Sequence, residues 1–170
     1  MKRDAVISDC GVYRYWLQRS WGEGSTLVVV GLNPSTADAN VDDPTIRKCI
    51  HYAKREGHTK LVMLNLFAVR ATDPKELPML GGLAVGPQND TYLSQYLDAY
   101  PRFLAAWGAV DKRMRWLIPR VVHESNRAVC LGHTKEGFPR HPLYMRNDAP
   151  FVPFVRKEPS GAGRVTEDSK

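Results

Sequence analysis

Residues 26–32 (TLVVVGL) and 60–69 (KLVMLNLFAV) are apolar almost throughout. A strand with one wet face alternates apolar and polar positions, so runs without alternation suit strands buried on both faces. Two shorter runs, 102–108 (RFLAAWG) and 127–132 (RAVCLG), predict a third and a fourth core strand. The first 23 residues read as an irregular or hairpin-like start in which VYRYWL (12–17) alternates in part, and GEG (22–24) ends it. Between the apolar runs the period changes. After Asp43-Pro44, a good N-cap and first-turn pair, Ile46, Cys49, Ile50 and Ala53 recur at helical spacing as far as Gly57. Residues 87–100 and 111–125 read as two further helices, and 71–78 as a loop with a short helical turn.

Strand, loop and helix therefore repeat in that order. The pattern predicts an α/β fold: a three-layer α/β/α sandwich around a mostly parallel four-stranded sheet. Residues 1–156 form one expected domain, and 157–170 (KEPSGAGRVTEDSK) have the composition of a flexible tail. In such sheets ligands bind beyond the carboxyl ends of the strands. The loops leaving the four strands are the polar ones, so they are expected to converge on one site.

Composition sharpens this modestly. The 170 residues and 43% apolar content suffice for one core. The net charge of +6 suits a nucleic-acid or phosphate partner, while saying nothing of fold. Three scattered cysteines without a CxxC argue against a disulfide framework and for a reduced, cytoplasmic setting. No signal peptide and no apolar run of membrane-spanning length is read. No cofactor is expected, and the loop after the first core strand lacks the glycine spacing and lysine of a phosphate-cradling loop.

That loop, GLNPSTADANVDD (31–43), holds Asn33, Ser35, Thr36, Asp38, Asp42 and Asp43. It reads either as a turn with a helix cap or as a rigid loop aiming Asn33 into the cleft. An amide there can hold water or read a base edge but cannot abstract a proton. In the second loop, Asn65 interrupts an apolar run and must be satisfied by backbone or face the cleft. Phe67 is either core or a stacking platform for a base. Arg70 lies just beyond. The last polar segment, HTKEGFPRHPLY (133–144), offers His133, Lys135, Arg140 and His141. It is either a basic surface loop or a source of a histidine donor for a departing anion, with Lys135 and Arg140 suited to phosphates. Its spacing matches no metal site. There is no GxSxG elbow, and Cys49 sits in an apolar helical stripe, so serine or cysteine nucleophiles are not expected.

GLNPSTADANVDDPTIRKC, LVMLNLFAVRATDP, GPQND, AAWG and CLGHTKEGFPRHPLY resemble, in order, the domain-of-unknown-function family 1643 of bacteria and phages, over roughly residues 6–144. A strand followed by GLNPS is also similar to the first motif of the mismatch-specific branch of the uracil-DNA glycosylase superfamily. There a Gly-hydrophobic-Asn-Pro loop carries the water-positioning asparagine. LNLFAVRAT and AAWGAVDKR resemble that branch's following strand stretches. HTKEGFPRHPLY falls where the superfamily has a His-Pro-Ser or Asn-Pro-Ser loop, yet His141-Pro142 is followed here by Leu143.

This second resemblance implies a uracil-DNA-glycosylase-like fold and hydrolysis of an N-glycosidic bond by base flipping. It implies that Asn33 orients water and that Asp38, Asp42 or Asp43 steadies a sugar cation. Ser35, Thr36, Asn65, Phe67, Arg70, Lys135 and Arg140 would bind substrate, and His133 or His141 would donate to the leaving base. The expected partner is DNA or a nucleotide. Other readings are a non-catalytic binding module for modified DNA or nucleotides, an enzyme that builds modified bases, and a metal-dependent nuclease using the acidic loop.

Overall fold

The structure, a computed structural model, describes residues 1–35, 37–124 and 126–155. Its strands are β1 (Lys2–Ile7), β2 (Arg14–Ser20), β3 (Thr26–Gly31), β4 (Lys60–Asn65), β5 (Leu104–Ala105), β6 (Val129–Cys130) and β7 (Val152–Pro153). The helices are α1 (Pro44–Arg55), α2 (Leu77–Leu80), α3 (Asn89–Ala99) and α4 (Arg120–Glu124). The fold is mixed α/β with one seven-stranded sheet in the order β1-β2-β4-β3-β5-β6-β7. The central strands β4, β3, β5 and β6 run parallel, as the unalternating runs predict. The expected count of four strands is corrected to seven. A β1–β2 hairpin extends one edge antiparallel through β2–β4, and β7 closes the other edge antiparallel to β6.

Two apolar cores follow from the period of two along each buried strand. Val28, Val30, Val62 and Leu64 point to one face, where Leu93 and Leu97 of α3 and Val122 of α4 cover them. Leu27, Val29, Leu61 and Met63 point to the other, against Ile46, Cys49, Tyr52 and Ala53 of α1. Asp43 caps α1 as its position predicts: Oδ1 accepts from the Ile46 amide at 2.8 Å, and Pro44 occupies the first turn.

The helix expected over 111–125 is not continuous. A 3₁₀ turn at Arg115–Leu117 gives way to an extended Ile118, and α4 begins only after Pro119. The proline disfavours helical backbone at the residue before it, which is where the break falls. The expected tail, 157–170, lies outside the described residues.

Register places the site. Gly31 pairs with Asn65, Val30 with Ala105, and Ala105 with Cys130. The four parallel strands thus end almost flush, and the loops that follow them share one rim.

Candidate functional site

A cavity of about 640 Å³ opens on that rim, within the size range of small-molecule sites. Each parallel strand contributes to its lining: Asn33 and Ser35 after β3, Asn65 at the end of β4, Trp107 and Gly108 after β5, and Arg140 and His141 after β6. Arg14, the first residue of β2, and Asp43, at the start of α1, add a cation and a carboxylate to that lining.

Asn65 is buried, and its Oδ1 accepts from Arg14 Nη2 at 3.1 Å. Its amide lies over Gly31, where an added Cβ would come within 2.9 Å of Asn65 Nδ2 and 2.6 Å of Met63 Cε. Gly31 is therefore what lets the amide occupy the cavity floor. The bend after β4 is clamped from behind: buried Asn89, in the GPQND segment, donates from Nδ2 to the Asn65 and Leu66 carbonyls at 3.0 Å each. Asn33 donates from Nδ2 to the Pro34 carbonyl at 2.9 Å and the Ala71 carbonyl at 2.8 Å, joining the first loop to the second. Those bonds fix its orientation and leave Oδ1 as its available polar atom.

His141 lines the same cavity. Its Nδ1 accepts from the Leu143 amide at 3.3 Å, which puts the proton of the neutral ring on Nε2. Burial lowers its proton affinity below the ordinary value of 6.5, with Asp43 opposing the shift. The group is thus a neutral N–H donor at pH 7. Gly108 adopts φ +73° beside it, a left-handed turn in which an added Cβ would lie 3.5 Å from the His141 Cβ. Trp107 supplies an aromatic wall, packed edge-on to Phe154. Tyr144, 84% exposed, stands at the mouth.

The remaining candidates from the sequence lie elsewhere. Asp38 uses Oδ1 to accept from the Asn40 and Val41 amides, and these bonds hold its carboxyl below the ordinary value. Asp42 pairs with the fully buried Arg19 at 2.7 Å and with Arg3 at 3.3 Å. Neither aspartate lines the cavity; both are committed to the loop. Phe67 is fully buried in the core and lines a separate cavity of about 220 Å³ beside Leu32 and Met114, so it offers no stacking face here. His133 stacks on Phe154 at 5.7 Å, next to Cys130. Arg70 donates to the Gly11 carbonyl, and Lys135 sits on an exposed turn; neither reaches the lining. Thr36 lies outside the described residues. Burial pushes the Cys49 thiol up to about 12, which leaves it inert.

Sequence reasoning passed over Arg14 and Trp107. A charge among Tyr13, Tyr15 and Trp16 was the signal for the first, and an aromatic directly before a strand-ending glycine for the second. Among the described residues no group of three or more His, Cys, Asp or Glu is placed to hold a metal ion. Nor is any helix among them long and apolar enough to cross a membrane.

No curated protein and no solved structure matches the chain. A family model does, across residues 14–143, the span that runs from Arg14 of the cavity floor to Leu143 of its rim. The chain belongs to the family described as Protein of unknown function (DUF1643).

Proposed function

We propose that the protein is a nucleobase-directed hydrolase that cleaves the N-glycosidic bond of an uncommon or modified base, in DNA or in a nucleotide. The observation that carries this reading is the set of groups lining one cavity at the strand ends. Asn33 Oδ1 can accept from a water. The Asp43 carboxylate, whose Oδ2 has no hydrogen-bond partner among the described residues, can take its proton or steady a sugar cation. Asn65 can read a base edge, Trp107 or Tyr144 can stack on it, and His141 can donate from Nε2 to the departing base. These are the parts that cleavage through a sugar cation and an anionic base requires. The four parallel strands with helices on both faces support a uracil-DNA-glycosylase-like arrangement of those parts, with the antiparallel hairpin and β7 as additions.

Of the carboxylates Asp38, Asp42 and Asp43 and the histidines His133 and His141, this reading takes Asp43 and His141, because these are the ones that line the cavity. A second reading, recognition without cleavage, is favoured by one observation: both Asn33 amide hydrogens are spent on backbone carbonyls, as in a structural asparagine. A strand-cleavage assay on duplexes carrying uracil, mismatched thymine or phage-type modified bases, with the matching nucleotides run beside them, decides between the two. Hydrolysis is expected to release free base and to fall by about 10²-fold or more in Asn33→Ala or His141→Ala, the usual size of one positioned group's contribution. Base binding with no release from any substrate would overturn hydrolysis in favour of recognition.

A further inference from the structure

The cavity floor holds a cation that no acid of the described chain pairs with. Arg14 is 2% exposed. Its Nη1 donates to the Ala37 carbonyl at 2.8 Å and its Nη2 to Asn65 Oδ1 at 3.1 Å. Both acceptors are neutral. A guanidinium carries five N–H donors in a rigid fork, and the buried Nε of Arg14 finds no acceptor. The strongest favourable charge on it is Asp43, which already caps α1, with Asp38 a weaker one; Arg70 and Arg19 act against it. Burying an ion without a counter-ion costs several kcal/mol. The cost is visible in the group itself, whose affinity for its proton falls to about 10 through burial, although it stays charged at neutral pH. Arg140 adds a second cation to the lining, so two arginines face one acid.

We infer that the cavity takes a ligand with a terminal phosphate and that the Arg14 guanidinium is its buried anchor. Arg14 and Arg140 supply the charge, and the hydroxyls of Ser35, Thr45, Thr72 and Thr134 on the same lining supply neutral donors. A phosphate inside a continuous strand carries a sugar on both sides and stays at a surface. A terminal phosphomonoester on a small molecule can enter a cavity and meet a side chain that is almost fully buried. Taken with the function proposed above, on which only the nucleoside part of this inference rests, the ligand is a free nucleoside monophosphate rather than a base within an intact strand.

The test is calorimetric titration of the full chain with four probes: inorganic phosphate, 2′-deoxyuridine 5′-monophosphate, 2′-deoxyuridine, and a short oligodeoxynucleotide without a terminal phosphate. Inorganic phosphate is expected to bind, and the monophosphate to bind at least about tenfold more tightly than the nucleoside, the usual size of a charge-assisted contact. Arg14→Gln is expected to weaken phosphate by a similar factor and to erase the monophosphate's advantage. Asn65→Asp supplies a carboxylate where Arg14 already donates, giving the cation an internal partner. It is expected to weaken phosphate comparably with no fall in the unfolding midpoint, and it carries the test should Arg14→Gln not fold. Failure of phosphate to bind, phosphate affinity unchanged in either variant that folds, or binding of the oligodeoxynucleotide alone would overturn the inference. Phosphate binding without base release from any substrate would overturn the hydrolase reading and leave this one standing.

Discussion

Two arginines on one strand, Arg19 and Arg14 of β2, are both buried and end in opposite situations. Arg19 meets the Asp42 carboxylate at 2.7 Å and also donates to the carbonyls of Gln18 at 2.9 Å and Asp38 at 2.6 Å. Arg14 meets one carbonyl and one amide oxygen, and its Nε meets nothing. The first arginine holds the 38–42 loop against the sheet. The second lies where that loop gives way to the cavity. A buried cation with its own carboxylate is a finished piece of architecture, whereas one without is half of an interaction. The comparison also explains the acidic loop in a basic chain: Asp42 pairs with Arg19, Asp38 folds the turn, and Asp43 alone faces the site.

Stability measurements can break this contrast. Asp42→Ala strands Arg19, whose side chain is fully buried, and removes Arg3's partner as well. It is expected to cost about 3 kcal/mol in urea unfolding, the low end for a broken buried pair because Asp42 keeps 13% exposure. Arg14→Met removes a buried charge that has no carboxylate, and two lost hydrogen bonds offset that gain. Its stability is expected to stay within about 1 kcal/mol of the unmodified chain. Equal losses in the two variants would end the distinction.

A smaller effect sharpens the electrostatics of the cavity between Arg14 and His141. His141 has a lower proton affinity folded than its ordinary value of 6.5. The folded chain therefore binds fewer protons at this site than the unfolded chain. Its contribution to stability is complete above about pH 6.5 and is lost as pH falls through the folded value. In an NMR titration of the imidazole protons the midpoint is expected below 6.5. Asp43→Asn, by removing the one carboxylate that raises it, is expected to move the midpoint lower still. A midpoint above 6.5 would show that burial does not dominate.

Much of this was legible in sequence where the signal was local. The unalternating runs became β3 and β4, and Asp43-Pro44 became the start of α1. Polar loops after the strands led to the cavity, with Asn33, Ser35, Asn65, Arg140 and His141 on its lining. What failed was long-range. Nothing near Asp42 in the chain announces Arg19, 23 positions away, and nothing near His133 announces Phe154. β5 and β6 fall inside the two shorter apolar runs, but a two-residue strand such as β7 is too short to show a period at all.

The two asparagines of the site have one further consequence. Asn33 spends its hydrogens on the backbone and keeps its oxygen; Asn65 spends its oxygen on Arg14 and keeps its hydrogens. Identical side chains thereby offer opposite halves of an amide, and the cavity acquires a direction. A molecule that bridged the two would have to present a donor to Asn33 and an acceptor to Asn65, so the same molecule turned over would meet like with like.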